Sequence, residues 1–255
     1  MKSVALLSLA LTTAASAGTI GAIDSVKLNE RIFNDRFDST LNFVSNYPSD
    51  VRLTETGFGP GGFANRHSAY YSADGGASNL DINYEDAFDF SVTVNHIASQ
   101  NVAVEAGFHA DLFGFGYFGQ LPNGEIAAFG SILPFHSFGV VPYADTIHLR
   151  MIHRPGSGNG VDPLPVDGVR SSFEYLYSFD GINYVSSGLK EMGGNEGGIP
   201  SNFNFFVGFG AQHNAAAETG AVADTIFNNI RVAVPAPAGV ALAGLAGLAG
   251  LRRRR

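Results

Sequence analysis

The 255 residues are 45% hydrophobic but only 15% charged, with 32 glycines, 21 phenylalanines, no tryptophan and no cysteine. That excludes a disulfide framework, a thiolate nucleophile and a cysteine-ligated zinc, and it leaves enough apolar material for one large core. All 23 acidic residues lie between Asp24 and Asp224, and residues 18–233 hold 10 of the 15 basic ones, so the body carries a formal charge of −13 and opposes binding to a nucleic-acid backbone.

The chain opens with Lys2, an apolar run over residues 4–11, and the small-x-small triplet Ala15-Ser16-Ala17. Positive end, apolar middle and small-residue site in that order define a secretory signal peptide, residues 1–17, with cleavage expected between Ala17 and Gly18.

Residues 18–233 form the body. Residues 20–33 offer modest helical periodicity; the remainder is dominated by a period of two. Alternating apolar and polar residues predict strands over 88–94, 102–108, 147–151, 173–177, 203–207 and 226–232. Turn signals separate them: Asp74-Gly75-Gly76, Pro122-Asn123-Gly124, Arg154-Pro155-Gly156 and Asp180-Gly181. Residues 154–168 read as a long surface loop. Many short strands without interleaved helices predict an all-β fold, an antiparallel β-sandwich.

The tail, residues 234–255, begins Val234-Pro235-Ala236-Pro237. Residues 232–251 are 20 positions without a charge, near the roughly 20 that span a bilayer. A hydrophobic helix starting after Pro237 covers about 21 Å, against about 30 Å of hydrocarbon, so it is a short span. Arg252, Arg253, Arg254 and Arg255 close the chain, and such a cluster beside a membrane segment stays cytoplasmic. The body is then outside, where the signal peptide sends it.

Few residues offer chemistry. A Glu-x-Asp-x-x-Glu string, which sets two carboxyls on one strand face beside a glycosidic bond, is absent. Glu85, Asp86 and Asp89 are wrongly spaced, Glu105 and Asp111 lie six apart, and all are expected as solvated strand-end and loop carboxylates. His148 and Arg150 share one strand face, with Ile147, Leu149 and Met151 on the core face. His109 and Asp111, two apart, are candidates to meet a cation or a sugar hydroxyl. The two Gly-x-Gly-x-x-Gly matches, at 57–62 and 114–119, open no helix and imply no nucleotide site. No cofactor is expected. Calcium is the one plausible ion, through oxygen ligands of the loop at residues 72–86, although an ordinary polar loop is the preferred reading of that stretch. Tyr70, Tyr71 and Tyr84 are the candidate sugar platforms.

Two resemblances follow from these residues. Proline motif, apolar glycine-rich run and arginine cluster in that order resemble the PEP-CTERM sorting signal of Gram-negative bacteria. The resemblance implies an exosortase-like processing enzyme as partner, tied to extracellular polysaccharide, with the inner membrane holding the tail before processing. The family's usual Val-Pro-Glu-Pro differs at Ala236. The strand rhythm of the body, the SFDGINY turn at residues 178–184 and the closing strand FNNIRV resemble concanavalin-A-like jelly-roll domains of exported proteins. The expected protein is exported and non-catalytic, working at the cell surface or in the exopolysaccharide matrix. The alternative is a lectin-like module or glycoside hydrolase on the same fold.

Overall fold

A computed structural model of the chain describes residues 20–31, 40–56, 66–82, 86–98, 104–111, 115–131, 133–155, 171–192, 205–213 and 222–234. The expected signal peptide, the tail with Pro235 and Arg252 to Arg255, the glycine motif at 57–62, Tyr84, Glu85 and most of the 154–168 loop lie outside them. Among the described residues no helix is long and apolar enough to cross a membrane.

Fourteen strands run through the described residues: β1 Ser25–Arg31, β2 Thr40–Asn46, β3 Asp50–Thr56, β4 Arg66–Ser72, β5 Phe88–Ala98, β6 Val104–Asp111, β7 Phe115–Gln120, β8 Glu125–Gly130, β9 His136–Val140, β10 Thr146–Arg154, β11 Ser172–Ser178, β12 Val185–Glu191, β13 Phe206–His213 and β14 Val222–Ala233. They form two antiparallel sheets of seven. Sheet A has the order β1-β4-β13-β6-β7-β8-β9, and sheet B the order β12-β11-β10-β5-β14-β3-β2. The fold is therefore all-β and sandwich-like, as the alternation predicts. The weak helical period over residues 20–33 is overturned: residues 25–31 pair with β4 as the edge strand of sheet A. The backbone polar groups at that edge gain ladder partners, which a period this weak does not outweigh.

Packing between the sheets comes from every second residue. Val92, Val94, Ile147, Leu149 and Met151 of sheet B are buried, facing Ala106, Phe108, Phe118 and Phe209 of sheet A. Aromatic rings cross the gap. Tyr71 of β4 lies 4.8 Å from Phe90 of β5, Phe118 of β7 lies 4.9 Å from Tyr175 of β11, and Phe209 of β13 stacks at 4.7 Å on Phe227 of β14. Each such pair contributes roughly 0.5–1.5 kcal/mol beyond its area burial.

Polar groups enter this core, His153 and the Tyr71 hydroxyl among them. His153 sits among Phe88, Phe173 and Phe205, and its Nδ1 donates to the Asp86 carbonyl at 2.7 Å. Burial holds its pKa down to about 4, partly opposed by that hydrogen bond and by Asp86. The Tyr71 hydroxyl is buried without a hydrogen-bond partner. An unsatisfied buried hydroxyl costs about 1–3 kcal/mol, so Tyr71→Phe should raise the unfolding free energy by about 1 kcal/mol in urea titration; a loss would mean the hydroxyl is satisfied. His153 takes up its proton in the unfolded chain near the ordinary value and in the folded chain only near 4. Stability should therefore fall as pH drops from about 6.5 to about 4. His153→Gln should flatten that part of the curve, and an unchanged slope would exclude His153 as its cause.

Candidate functional site

The pleat that sends Ala69, Tyr71, Phe108 and Phe209 inward sends their neighbours to the outer face of sheet A. There β4 places Arg66, Ser68 and Tyr70, β6 places Glu105, Gly107, His109 and Asp111, and β7 places Phe115 and Tyr117. The register lays Ser68, Gly210 and Gly107 in one row across three strands, and Tyr70, Gly208, His109 and Tyr117 in the next. Glycines on β13 leave the middle of the face without side chains. A Cβ on Gly210 would stand 2.6 Å from the His109 ring, so only glycine lets that ring lie across the strand toward Ser68.

These groups are paired. His109 Nδ1 and Ser68 Oγ share a 2.6 Å hydrogen bond. The Tyr70 hydroxyl donates to Asp111 at 3.3 Å, and Arg66 approaches the same carboxylate at 3.6 Å while its guanidinium lies 3.6 Å above the Phe115 ring. The Tyr117 hydroxyl sits 3.0 and 2.7 Å from the Ala106 and Gln120 carbonyls. Burial first, and the charges of Arg66 and His67 next, hold His109 well below its ordinary pKa, so the imidazole is neutral. Its Nε2 is buried with no hydrogen-bond partner. Burial pushes Glu105 up to about 7, with Arg66 opposing. Tyr70 rises to about 12, chiefly by burial.

Several expectations change here. His109 and Asp111 do share a face, as their spacing requires, but they meet protein groups. Among the described residues no three metal-ligating side chains converge. Glu105, Asp86 and Asp89 are not simply solvated: Glu105 is half-buried, Asp86 is 2% exposed, and Asp89 holds Arg150 through two oxygens. Glu105 and Asp111 stand six residues apart on one strand, about 20 Å at 3.3 Å per residue. A glycosidase pair stands roughly 5–9.5 Å apart, so these two cannot flank one bond. Tyr71 is a core residue rather than a platform, because it falls on the inward face; Tyr70 faces outward but is 3% exposed. Gly116 and Gly119 lie within β7.

The loop considered for calcium is organised by Asp74. Its Oδ1 accepts from Ser72 Oγ at 2.6 Å, Ala77 N at 3.0 Å and Ser78 N at 2.9 Å. Donors surround this carboxylate, where a cation would need further acceptors. The turn after β11 repeats the device: Asp180 Oδ1 accepts from Ser178 Oγ, Ile182 N and Asn183 N at 2.7–2.8 Å. Gly75 and Gly181 follow with φ of 73° and 72°. Hydrogen bonds hold both aspartates well below the ordinary carboxylate range. The Ser-x-Asp-Gly string is visible in the sequence. The meeting of Arg66, Ser68 and Tyr70 with His109 is not, because 41 residues separate Ser68 from His109; the alternation of RHSAYYS was its one signal.

No family model matches the chain, and no curated protein does. Among solved structures, a functionally unknown protein from Saccharomyces cerevisiae is similar at a TM-score of 0.46 and 11% identity, over 79% of this chain and 98% of that one. The alginate lyase from Klebsiella pneumoniae is similar at a TM-score of 0.39 and 11% identity, over 76% and 84% of the respective chains.

Glu105 generates a pH prediction of the opposite sign to that of His153. A carboxyl raised to about 7 is most stabilising when protonated, so its contribution is present below about 4.5 and lost as pH rises to about 7, by at most about 3 kcal/mol. Glu105→Gln should remove that loss and be more stable than the parent above pH 7, read as the difference in urea midpoints. A difference between parent and Glu105→Gln that is the same at pH 5 and pH 8 would refute the burial-raised carboxyl.

Proposed function

We propose that the chain is an exported, non-catalytic protein of the cell surface or exopolysaccharide matrix. In this reading its body is a concanavalin-A-like jelly roll, delivered by the signal peptide at residues 1–17 and sorted through the PEP-CTERM-like tail at residues 234–255. The outer face of sheet A then holds a hydroxyl-rich polymer. One observation carries the binding role: the buried Ser68, Tyr70 and His109 and the partly exposed Asp111 are hydrogen-bonded in pairs, Ser68 with His109 and Tyr70 with Asp111, on a face that points away from the core. Burying polar groups costs free energy unless they are held together. The carboxylate separation of about 20 Å supports the non-catalytic part.

A second reading rests on the neutral His109, whose buried Nε2 has no partner. That atom keeps an acceptor lone pair with no partner among the described residues, and on this alternative it meets a substrate hydroxyl and the protein is a carbohydrate-active enzyme.

Two experiments separate the readings. On a glycan array the protein should retain a neutral or weakly charged polysaccharide, and Ser68→Ala or Tyr70→Phe should weaken retention about tenfold while turnover of a polysaccharide panel stays at background. Turnover that disappears in His109→Ala would move the assignment to the enzyme, and no retention of any glycan would remove the binding role. For the address, deleting residues 234–255 should abolish surface display, and unchanged display would remove the sorting role.

A further inference from the structure

The outer face of sheet B carries three arginines that are each satisfied by a carboxylate of a neighbouring strand. Arg150 of β10 holds Asp89 of β5, with Nε to Oδ1 at 2.7 Å. Arg154 meets Glu174 of β11 at 2.9 Å. Arg52 of β3 grips Asp224 of β14, with Nε to Oδ1 at 2.7 Å, and Thr54 joins the same oxygen. Arg231 of β14 departs from this pattern. It is exposed and, among the described residues, has no ion pair or side-chain hydrogen bond.

Arg231 stands in a cross-strand row with Ser91 and Arg150, beside a second row containing Thr93 and His148. Thr93 Oγ1 and His148 Nδ1 share a 2.9 Å hydrogen bond. A bulge in β14 between Asn228 and Arg231 turns Asn229 to a φ of 50°, and its amide donates to Thr93 at 3.2 Å. Above these rows leans the turn after β11. Its Asp180 is engaged within the turn, Gly181 approaches the His148 ring, and Tyr184 leaves 36% of its surface open. The space between turn and sheet comprises two adjoining hollows of about 370 and about 350 Å³ that share Ser91, Gly181, Tyr184 and Arg231. Volumes of this size lie at the lower end of small-ligand sites, roughly 300–1,000 Å³.

The geometry points to a second binding site on sheet B that takes an acidic saccharide, with one sugar ring against Tyr184, its hydroxyls on Ser91, Thr93 and Asn229, and its carboxylate on Arg231. A planar guanidinium with two free N–H edges matches a carboxylate in bidentate fashion, and a Tyr ring offers an apolar face with a polar tip. The acidic body repels polyanions in general. Charges beyond about 8 Å are largely screened at physiological ionic strength, so recognition has to be local to the cleft. This site shares no residue with the outer face of sheet A and stands or falls separately from the function proposed there.

Calorimetry on the full chain with galacturonate oligomers and with their methyl esters tests it, since the two share a backbone and differ in the carboxylate. The acidic oligomer should bind at least tenfold more tightly than the ester. Arg231→Ala should lose at least tenfold for the acidic oligomer and leave the thermal midpoint unchanged. Tyr184→Ala should weaken binding too, and His109→Ala on sheet A should not. Equal binding of acid and ester, no binding of either, or undiminished binding by Arg231→Ala would each overturn the proposal.

Discussion

Two seven-stranded sheets without a disulfide are held face to face chiefly by packing, with the contact of His67 and Glu55 also crossing the gap, and the aromatic pairs between them set everything else. Tyr71 against Phe90, Phe118 against Tyr175 and Phe209 against Phe227 fix the sheets at three separate places. Interiors packed at crystal-like density leave little room for sliding. Once the inward residues of each strand are committed to that seam, the outward residues have no choice of side. The outer faces are consequences of the core.

What the two outer faces do with that constraint differs. On sheet A the glycines of β13 clear the centre of the face, and His109 lies over one of them to reach Ser68. Burial there keeps the imidazole neutral and raises the Glu105 carboxyl, so that carboxyl is only about half ionised at neutral pH. On sheet B the side chains stay wet and pair as salt bridges across strands. Such exposed pairs add little stability individually, but they neutralise one arginine after another and leave Arg231 distinct. The same anionic chain thus presents a drier polar face and a wet face where, among the described residues, Arg231 lines a cleft without a carboxylate partner.

Turn chemistry links the core to these faces. The Ser-x-Asp-Gly strings after β4 and β11 close with the same carboxylate geometry, and the second leans over sheet B to form the roof of its cleft. The glycine at the left-handed position is required there because a Cβ on Gly181 would press on the His148 ring as well as strain the backbone.

Most of the fold was legible in the chain. The strands over 88–94, 147–151 and 173–177 carry their apolar residues on alternate positions, and those residues are the core. The turns at Asp74, Asn123 and Asp180 declare themselves by composition. Residues 25–31 misled because a short edge strand draws its stability from the ladder to β4, which no local period records. The Asn229 bulge was invisible within FNNIRV, since alternation assumes an unbroken pleat.

The sequence by itself determined which side chains point inward, where the chain turns, and that no disulfide would help. It also determined the charge that sets the body against polyanions. Only the tertiary structure decided which outward residues meet. Ser68 and His109 are 41 positions apart, Thr93 and Asn229 are 136, and strand order rather than spacing makes them neighbours. The physical reason is that a strand's own sequence specifies its faces through a period of two, whereas the neighbour across the ladder is chosen by the packing of the whole sandwich.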